Sequence, residues 1–212
     1  MFKKSEQHKP RFFAIGDIHG CNTALLALLK AIDPKPCDTI IFLGDYVDRG
    51  LDSKGVFDTI IALKAQCQVI MLCGNHESMM QLSFGRDDAV ARLEMAGIWY
   101  KSGGAATLAS YMFNLEDLFL QNIEDAHIPT SLKAHLALID DMQMYYETDT
   151  HIFVHGTPEP NVPIENQDEL SLIWRRAGRL EGKYGYNHIS GKTIVSGHTA
   201  QRSGMPLMLS DK

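Results

Sequence analysis

The sequence contains no apolar run approaching the ~20 residues needed to cross a bilayer. Its first ten residues, Met1 to Pro10, are polar and lysine-containing, with no apolar stretch. These absences argue against a membrane partner and a secretory leader, so residues 1–10 are expected to form a flexible tail. Cysteine is scarce: Cys21, Cys37, Cys67 and Cys73 make no Cys-x-x-Cys pair and no regular spacing. That pattern reads as free thiols in a reducing cytosol, so a cytoplasmic location is expected. Cys21 and Cys73 are expected to be small buried hydrophobes and not ligands. Basic charge is also short, with 20 Lys and Arg against 26 Asp and Glu and a net charge of -6. A whole-surface nucleic-acid binder needs a basic face, so no nucleic-acid partner is expected. Nothing repeats at a fixed period, and no low-complexity linker divides the chain. With 212 residues, 45% of them hydrophobic, residues 11–212 suffice for one domain with a sizeable core.

What is present is an alternation of short apolar runs with longer helical patterns. Phe12 to Ile15, Thr39 to Leu43 and Val69 to Leu72 read as buried strands, stopped by Gly16, Gly44 and, after Cys73, Gly74. Between them, Asn22 to Ile32 reads as a packed helix carrying Leu25, Leu26, Leu28 and Leu29, with Asn22 or Thr23 as its cap. Pro34 and Pro36 end it. Ser53 to Lys64 reads as a second helix, with Val56, Ile60, Ile61 and Leu63 toward a core. Strands separated by helices imply β-α-β units and a parallel sheet. Residues 79–141 read as a mostly helical insertion with a turn at Gly103-Gly104. The strand pattern resumes at Ile152 to Val154 and Thr193 to Val195, around a proline-rich loop.

Each strand is followed by a polar cluster: Asp17 and His19; Asp45, Asp48 and Arg49; Asn75, His76 and Glu77; His155; and His198. The carboxyl ends of strands in an open α/β sheet line one edge, where ligands bind, so five clusters distant in sequence should converge. Asp17 and His19, two apart on an extended segment, point the same way. Carboxylate and imidazole donors without cysteine suit Mn²⁺, Fe or Zn²⁺ and not a structural thiolate zinc. Taken singly each cluster has a plain explanation, since Gly-Asp is usually a turn and a lone histidine usually a core residue. Five coincidences at five strand ends are hard to obtain from packing.

At these residues the chain resembles the phosphoprotein phosphatase family of calcineurin-like metallophosphoesterases, through the bacterial serine/threonine branch. The resemblance rests on Gly16-Asp17-Ile18-His19-Gly20, Gly44 to Gly50, Gly74-Asn75-His76-Glu77, His155-Gly156 and Gly197-His198-Thr199, in order over residues 16–199. Ser102-Gly103-Gly104 with Thr107, and Ile173-Trp174-Arg175-Arg176, resemble segments of the bacterial branch. The resemblance implies an αββα-type α/β sandwich. It implies one metal held by Asp17, His19 and Asp45, and a second by Asp45, Asn75, His155 and His198, with Asp45 bridging. Arg49 and Arg176, with Arg175 the adjacent alternative, would bind phosphoryl oxygens. His76 would be the general acid and Asp48 its partner, while Glu77 reads as structural. The chain departs from the family in Gly156-Thr157 after His155, and in stopping at Lys212, where a terminal strand is usual. The sheet is therefore expected to lack that strand.

Two divalent ions, two aspartates and one hydroxide leave about +1 at such a centre, and the arginines add planar donors matched to phosphate. The expected activity is phosphoserine and phosphothreonine hydrolysis in proteins by direct attack of metal-bound hydroxide, without a covalent phosphoenzyme. Its partner would be a phosphoprotein or phosphopeptide. A dinucleoside-polyphosphate hydrolase shares the metal motifs and is the alternative. A phosphodiesterase or a catalytically dead binding module fits less well, because the Asp48-Arg49-Gly50 extension and every ligand position are intact.

Overall fold

The computed structural model describes residues 9–85, 88–120, 123, 127–177, 179–180, 183–184 and 186–209. Apart from Lys9 and Pro10, the expected tail lies outside the described residues. Strands β1 (Phe12–Ile15), β2 (Thr39–Phe42) and β3 (Gln68–Met71) form a parallel sheet in that order. Helices α1 (Asn22–Ile32) and α2 (Ser53–Leu63) supply the crossovers, because parallel neighbours cannot be joined by a tight turn. The helical stretch that follows begins at Asn75, earlier than residue 79. It comprises α3 (Asn75–Ser83), α4 (Ala89–Trp99), α5 (Ala105–Ser110), α6 (Leu115–Leu118) and α7 (Thr130–Asp140). The expected turn at Gly103-Gly104 is a π-helical passage, Tyr100–Gly104, joining α4 to α5, with Gly103 at φ 123°.

The second sheet contains a strand that the sequence did not signal, β4 (Tyr145–Glu147), antiparallel to β5 (His151–Val154). After β5 come α8 (Glu169–Trp174) and a two-residue-per-strand hairpin, β6 (Arg179–Leu180) and β7 (Lys183–Tyr184). The chain then returns as β8 (Thr193–Ser196), parallel to β5. No strand follows β8 among the described residues. The run into β4 touches the first sheet, where Leu72 bridges Gln143 and the Cys73 N–H donates to the Gln143 carbonyl at 2.9 Å.

Side chains alternate across a strand, and here the alternation sorts four layers. Ile40 and Phe42 of β2 join the large core under the helices, while Ile41 and Leu43 turn the other way to meet Leu72 and Phe153. Phe153 faces that inter-sheet cluster, and its neighbours Ile152 and Val154 pack on Ile164 and Leu172 outside the second sheet. The result is helices, sheet, sheet and helix, the sandwich expected. No helix among the described residues is long and apolar enough to cross a membrane.

Several local expectations change. Leu25 and Leu29 are buried, but Leu26 and Leu28 are exposed, as is Ile61 on α2, since one helix face alone reaches the sheet. Phe12 is exposed because β1 is an edge strand. Cys73 is buried but Cys21 is exposed. Cys21 occupies the cap position of α1 without a capping hydrogen bond, its thiol donating to the His19 carbonyl at 3.5 Å. Asn22 instead donates to Asp52 at 2.8 Å and accepts from Thr59 at 2.8 Å, fastening α1 to the start of α2.

Candidate metal centre

The strand-end clusters converge on one cleft of about 970 Å³, lined by Asp17, His19, Asp45, Arg49, Asn75, His76, Arg176 and His198 among others. His155 and Asp48 lie fully buried behind that lining. Asp45 stands at its centre. One carboxylate oxygen, Oδ2, faces His19 Nε2 at 3.5 Å, and the other, Oδ1, faces His155 Nε2 at 3.3 Å. Donor atoms of His19, Asp45 and His76 all lie within 4.8 Å of one another, and so do those of Asp45, His155 and His198. Asp45 alone is common to the two triplets. Asp17 joins neither. It lines the same cleft, and its Oδ1 accepts the His198 backbone N–H at 2.9 Å.

Backbone carbonyls fix which imidazole nitrogen is free, because a carbonyl can only accept. His19 Nδ1 donates to Val47 at 2.9 Å, and His155 Nδ1 donates to Leu43 at 2.9 Å. Their Nε2 lone pairs therefore face the cleft. His198 is reversed, with Nε2 donating to the Trp174 carbonyl at 3.1 Å and Nδ1 left free. Tethering the outer nitrogen of a histidine is how protein metal sites orient their ligands. Burial lowers the pKa of His19 and His198, and holds His155 at about 4. All three are then neutral and able to ligate near neutral pH. The His155 lone pair also meets Asn75 Oδ1 at 3.1 Å.

Burial, and then the Asp17 charge, push Asp45 up to about 8. Carboxylate, amide and imidazole lone pairs thus converge where proximity to Asp17 disfavours a further negative charge. A cation is the species that relieves this, and the oxygen and nitrogen donors fit a divalent transition ion.

The remaining site residues are positioned by hydrogen bonds to neighbours far away in sequence. Glu77, wholly buried, accepts backbone N–H groups from Gly74, Asp45, Tyr46 and Val47 at 2.8–3.2 Å. It is a clamp on the loop that carries Asp45, in line with its structural reading. Asp48 accepts from His76 Nδ1 at 2.6 Å, from Trp99 Nε1 at 2.9 Å and from Thr107 Oγ1 at 2.7 Å. Trp99 was not singled out in the sequence, and Thr107 only as part of a resemblance. An indole shortly before the Gly103-Gly104 pair was the available signal: a Cβ on Gly104 would lie 2.7 Å from the Trp99 ring.

Arg49 donates to the Nε2 atoms of both His19, at 2.7 Å, and His76, at 3.0 Å. Arg176 lines the cleft, whereas Arg175 is turned away and donates to the Thr157 and Pro158 carbonyls at 3.3 and 2.6 Å. Residues 199–201 and 204–206 close one wall, of which the sequence had signalled Thr199 alone.

The backbone is unusual here too. His19, Asp45, Asp48, Arg49 and His198 all have positive φ, between 45° and 75°. Side chains disfavour that region, and such conformations gather at functional sites.

The calcineurin-like phosphoesterase family model matches residues 10–202. The chain belongs to that family. Among solved structures, this family member is similar to a protein described as a diadenosine tetraphosphatase, at 22% identity and a TM-score of 0.49 over 76% of this chain and 57% of that one. It is similar to a protein serine/threonine phosphatase from Saccharomyces cerevisiae, at 17% identity and a TM-score of 0.45 over 81% and 48%. It also resembles a cold-active protein-tyrosine phosphatase from a psychrophilic Shewanella, at 18% identity and a TM-score of 0.44 over 72% and 44–45%. The chain thus spans about half the length of these structures, which are too distant to transfer an activity.

Proposed function

We propose that the chain is a dinuclear-metal phosphomonoesterase acting on phosphoserine and phosphothreonine in proteins. The observation that carries the reading is the Asp45 carboxylate, with one oxygen turned to His19 and the other to His155. Asp45 would bridge two ions, with His19 on one side and Asn75, His155 and His198 on the other. Asp17 is proposed as a ligand beside His19, and the His19–Asp45–His76 triplet makes His76 its competitor for that place. Two divalent ions, Mn²⁺ first and Fe or Zn²⁺ next, supply Lewis acidity toward phosphoryl oxygens and toward water.

The chain's own residues do the rest. Arg49 and Arg176 bring two guanidinium groups to the cleft, whose planar donors match the oxygens of a phosphate dianion. His76 Nε2 is the candidate proton donor to a departing seryl alkoxide, which is too basic to leave unaided. Asp48, hydrogen-bonded to the opposite nitrogen at 2.6 Å, orients the ring. No nucleophilic side chain is required.

The experiment compares a phosphoserine peptide, diadenosine tetraphosphate and bis(p-nitrophenyl) phosphate on EDTA-stripped and Mn²⁺-restored protein. Mn²⁺ should restore activity at least as well as Mg²⁺, which accepts imidazole poorly, and the peptide should turn over fastest. Full activity in stripped protein would overturn the metal reading. Preference for the dinucleotide would replace the protein substrate with a polyphosphate.

A further inference from the structure

The turn that follows β2 is strained, and the strain is held from outside it. Asp48 and Arg49 are consecutive residues with left-handed backbone, at φ 75° and 68°, and neither is a glycine. Such a pair relaxes unless its surroundings over-determine it. Here the surroundings come largely from the passage that joins α4 to α5. The Asp48 N–H donates to Thr107 Oγ1 at 2.8 Å and to Ser53 Oγ at 3.1 Å, and the Arg49 N–H donates to the Gly103 carbonyl at 3.2 Å. Only a glycine brings its carbonyl so near. At position 103 φ is 123°, and a Cβ would lie 2.9 Å from the Arg49 nitrogen and 2.8 Å from Arg49 Cγ.

The same segment grips the Asp48 side chain. A threonine hydroxyl has a single proton, and Thr107 gives its own to Asp48 Oδ1 at 2.7 Å. Ser53 Oγ, 2.9 Å from Thr107 Oγ1, must then donate to it. The protons run one way, from Ser53 through Thr107 to Asp48, and each bond in such a chain strengthens the next. Trp99 Nε1 reaches both Asp48 oxygens, at 3.0 and 2.9 Å. Ser53, Thr107, Asp48 and Trp99 are all fully buried, so bulk water does not stand in for a lost partner.

We propose that Trp99, Gly103 and Thr107 are positioning residues that brace the strained Asp48–Arg49 turn, setting the partner of His76 and the phosphate clamp as one unit. This rests on the roles given above to His76 and Arg49, and it adds a control point outside the cleft, whose lining includes none of the three. With the brace seated, Asp48 faces His76 and Arg49 reaches the cleft. With the brace loosened, the turn relaxes and both functions fall together. A change in the helical insertion thereby reaches catalysis without touching substrate.

Thr107 and Gly103 test the two halves of the brace. Thr107→Val keeps the shape and removes the hydroxyl. On a phosphoserine peptide in Mn²⁺ it should lower kcat roughly ten- to hundredfold, the scale of one hydrogen bond to a charged group. p-Nitrophenyl phosphate, whose leaving group needs no proton, should lose less than about threefold. Thr107→Ser should recover most of the peptide activity. Should Thr107→Val not fold, Trp99→Phe makes the same comparison. A purely structural residue would lower the melting temperature and cut both substrates alike. That result, or no loss on either substrate, overturns the brace.

The second arm needs no turnover. Calorimetry follows inorganic phosphate binding to the Mn²⁺-loaded protein. Gly103→Ala should weaken binding by about tenfold or more, as Arg49 is pushed from its place. Gly97→Ala, at a glycine of α4 where a Cβ meets nothing within 4 Å, should leave it unchanged. Equal phosphate affinity in Gly103→Ala and wild type overturns the brace. Weakened binding in Gly103→Ala, in a protein whose wild type cleaves neither ester, would uphold the brace and reject the phosphatase reading instead.

Discussion

The two sides of the cleft are built differently. Residues Asp45, Asn75, His76 and Glu77, from β2, β3 and the start of α3, are buried and cross-linked. Glu77 collects four backbone N–H groups, and the His76 N–H itself donates to Asp45 Oδ1 at 3.2 Å. The other side, from Trp174 through His198 to Pro206, is largely exposed and, among the described residues, carries no regular element after α8 apart from β8 and the small hairpin. His198 is tied there by two hydrogen bonds, one to Asp17 and one to the Trp174 carbonyl. The buried side can fix ligand geometry against the pull of an ion. The exposed side faces solvent, where sequence variation costs little stability.

Substitutions should separate these sides sharply. The largest effect is expected at Glu77. Glu77→Ala strands several buried N–H groups, each costing about 1–3 kcal/mol, so the loss should exceed about 4 kcal/mol. Denaturant unfolding should show little or no cooperative native state, and a melting temperature within a few degrees of wild type would refute the clamp. Asp45→Asn comes next. One carboxylate is proposed to serve both ions, so metal analysis should find both equivalents depleted together. Loss of one equivalent alone would make Asp45 a terminal ligand.

His76→Asn should lower phosphoserine turnover by roughly 10²–10⁴-fold, and p-nitrophenyl phosphate turnover much less, because nitrophenolate leaves without a proton. Trp99→Phe should show the same bias more weakly by removing one donor from Asp48. Equal losses on the two substrates would instead make His76 a ligand. The smallest effect on stability belongs to the exposed side. His198→Ala should weaken one metal equivalent yet change the unfolding free energy by no more than about 0.5 kcal/mol. A larger cost would mean that the two sides fold as one unit.

The same division governed what could be read from sequence. The ranges of α1 and α2 and the strands β1, β2 and β5 follow from local apolar runs ended by glycine, proline or a turn. The strand-end positions of Asp45, Asn75 and His155 follow from those runs. The grip of Trp99 on Asp48 could not be read, because 51 residues separate the pair and the nearby Gly103-Gly104 marks the indole without naming its partner. Strand β4 was missed because Tyr145–Glu147 is three residues long, with no alternation to detect. Leu26 and Leu28 looked like core because leucine density was read without asking which face meets the sheet. Asn22 looked like a cap, and tertiary partners claimed its amide.

The left-handed backbone at His19, Asp45, Asp48, Arg49 and His198 carries an evolutionary consequence. At each position glycine would satisfy the main chain better than the residue present. Selection for thermal endurance alone should therefore drift these sites toward glycine, erasing the proposed ligands and phosphate clamp while the fold tightened. A charged or aromatic side chain where the backbone asks for none places backbone strain at the proposed centre. A stabilised version of this protein would best be sought by leaving those five strained residues untouched and improving the molecule elsewhere.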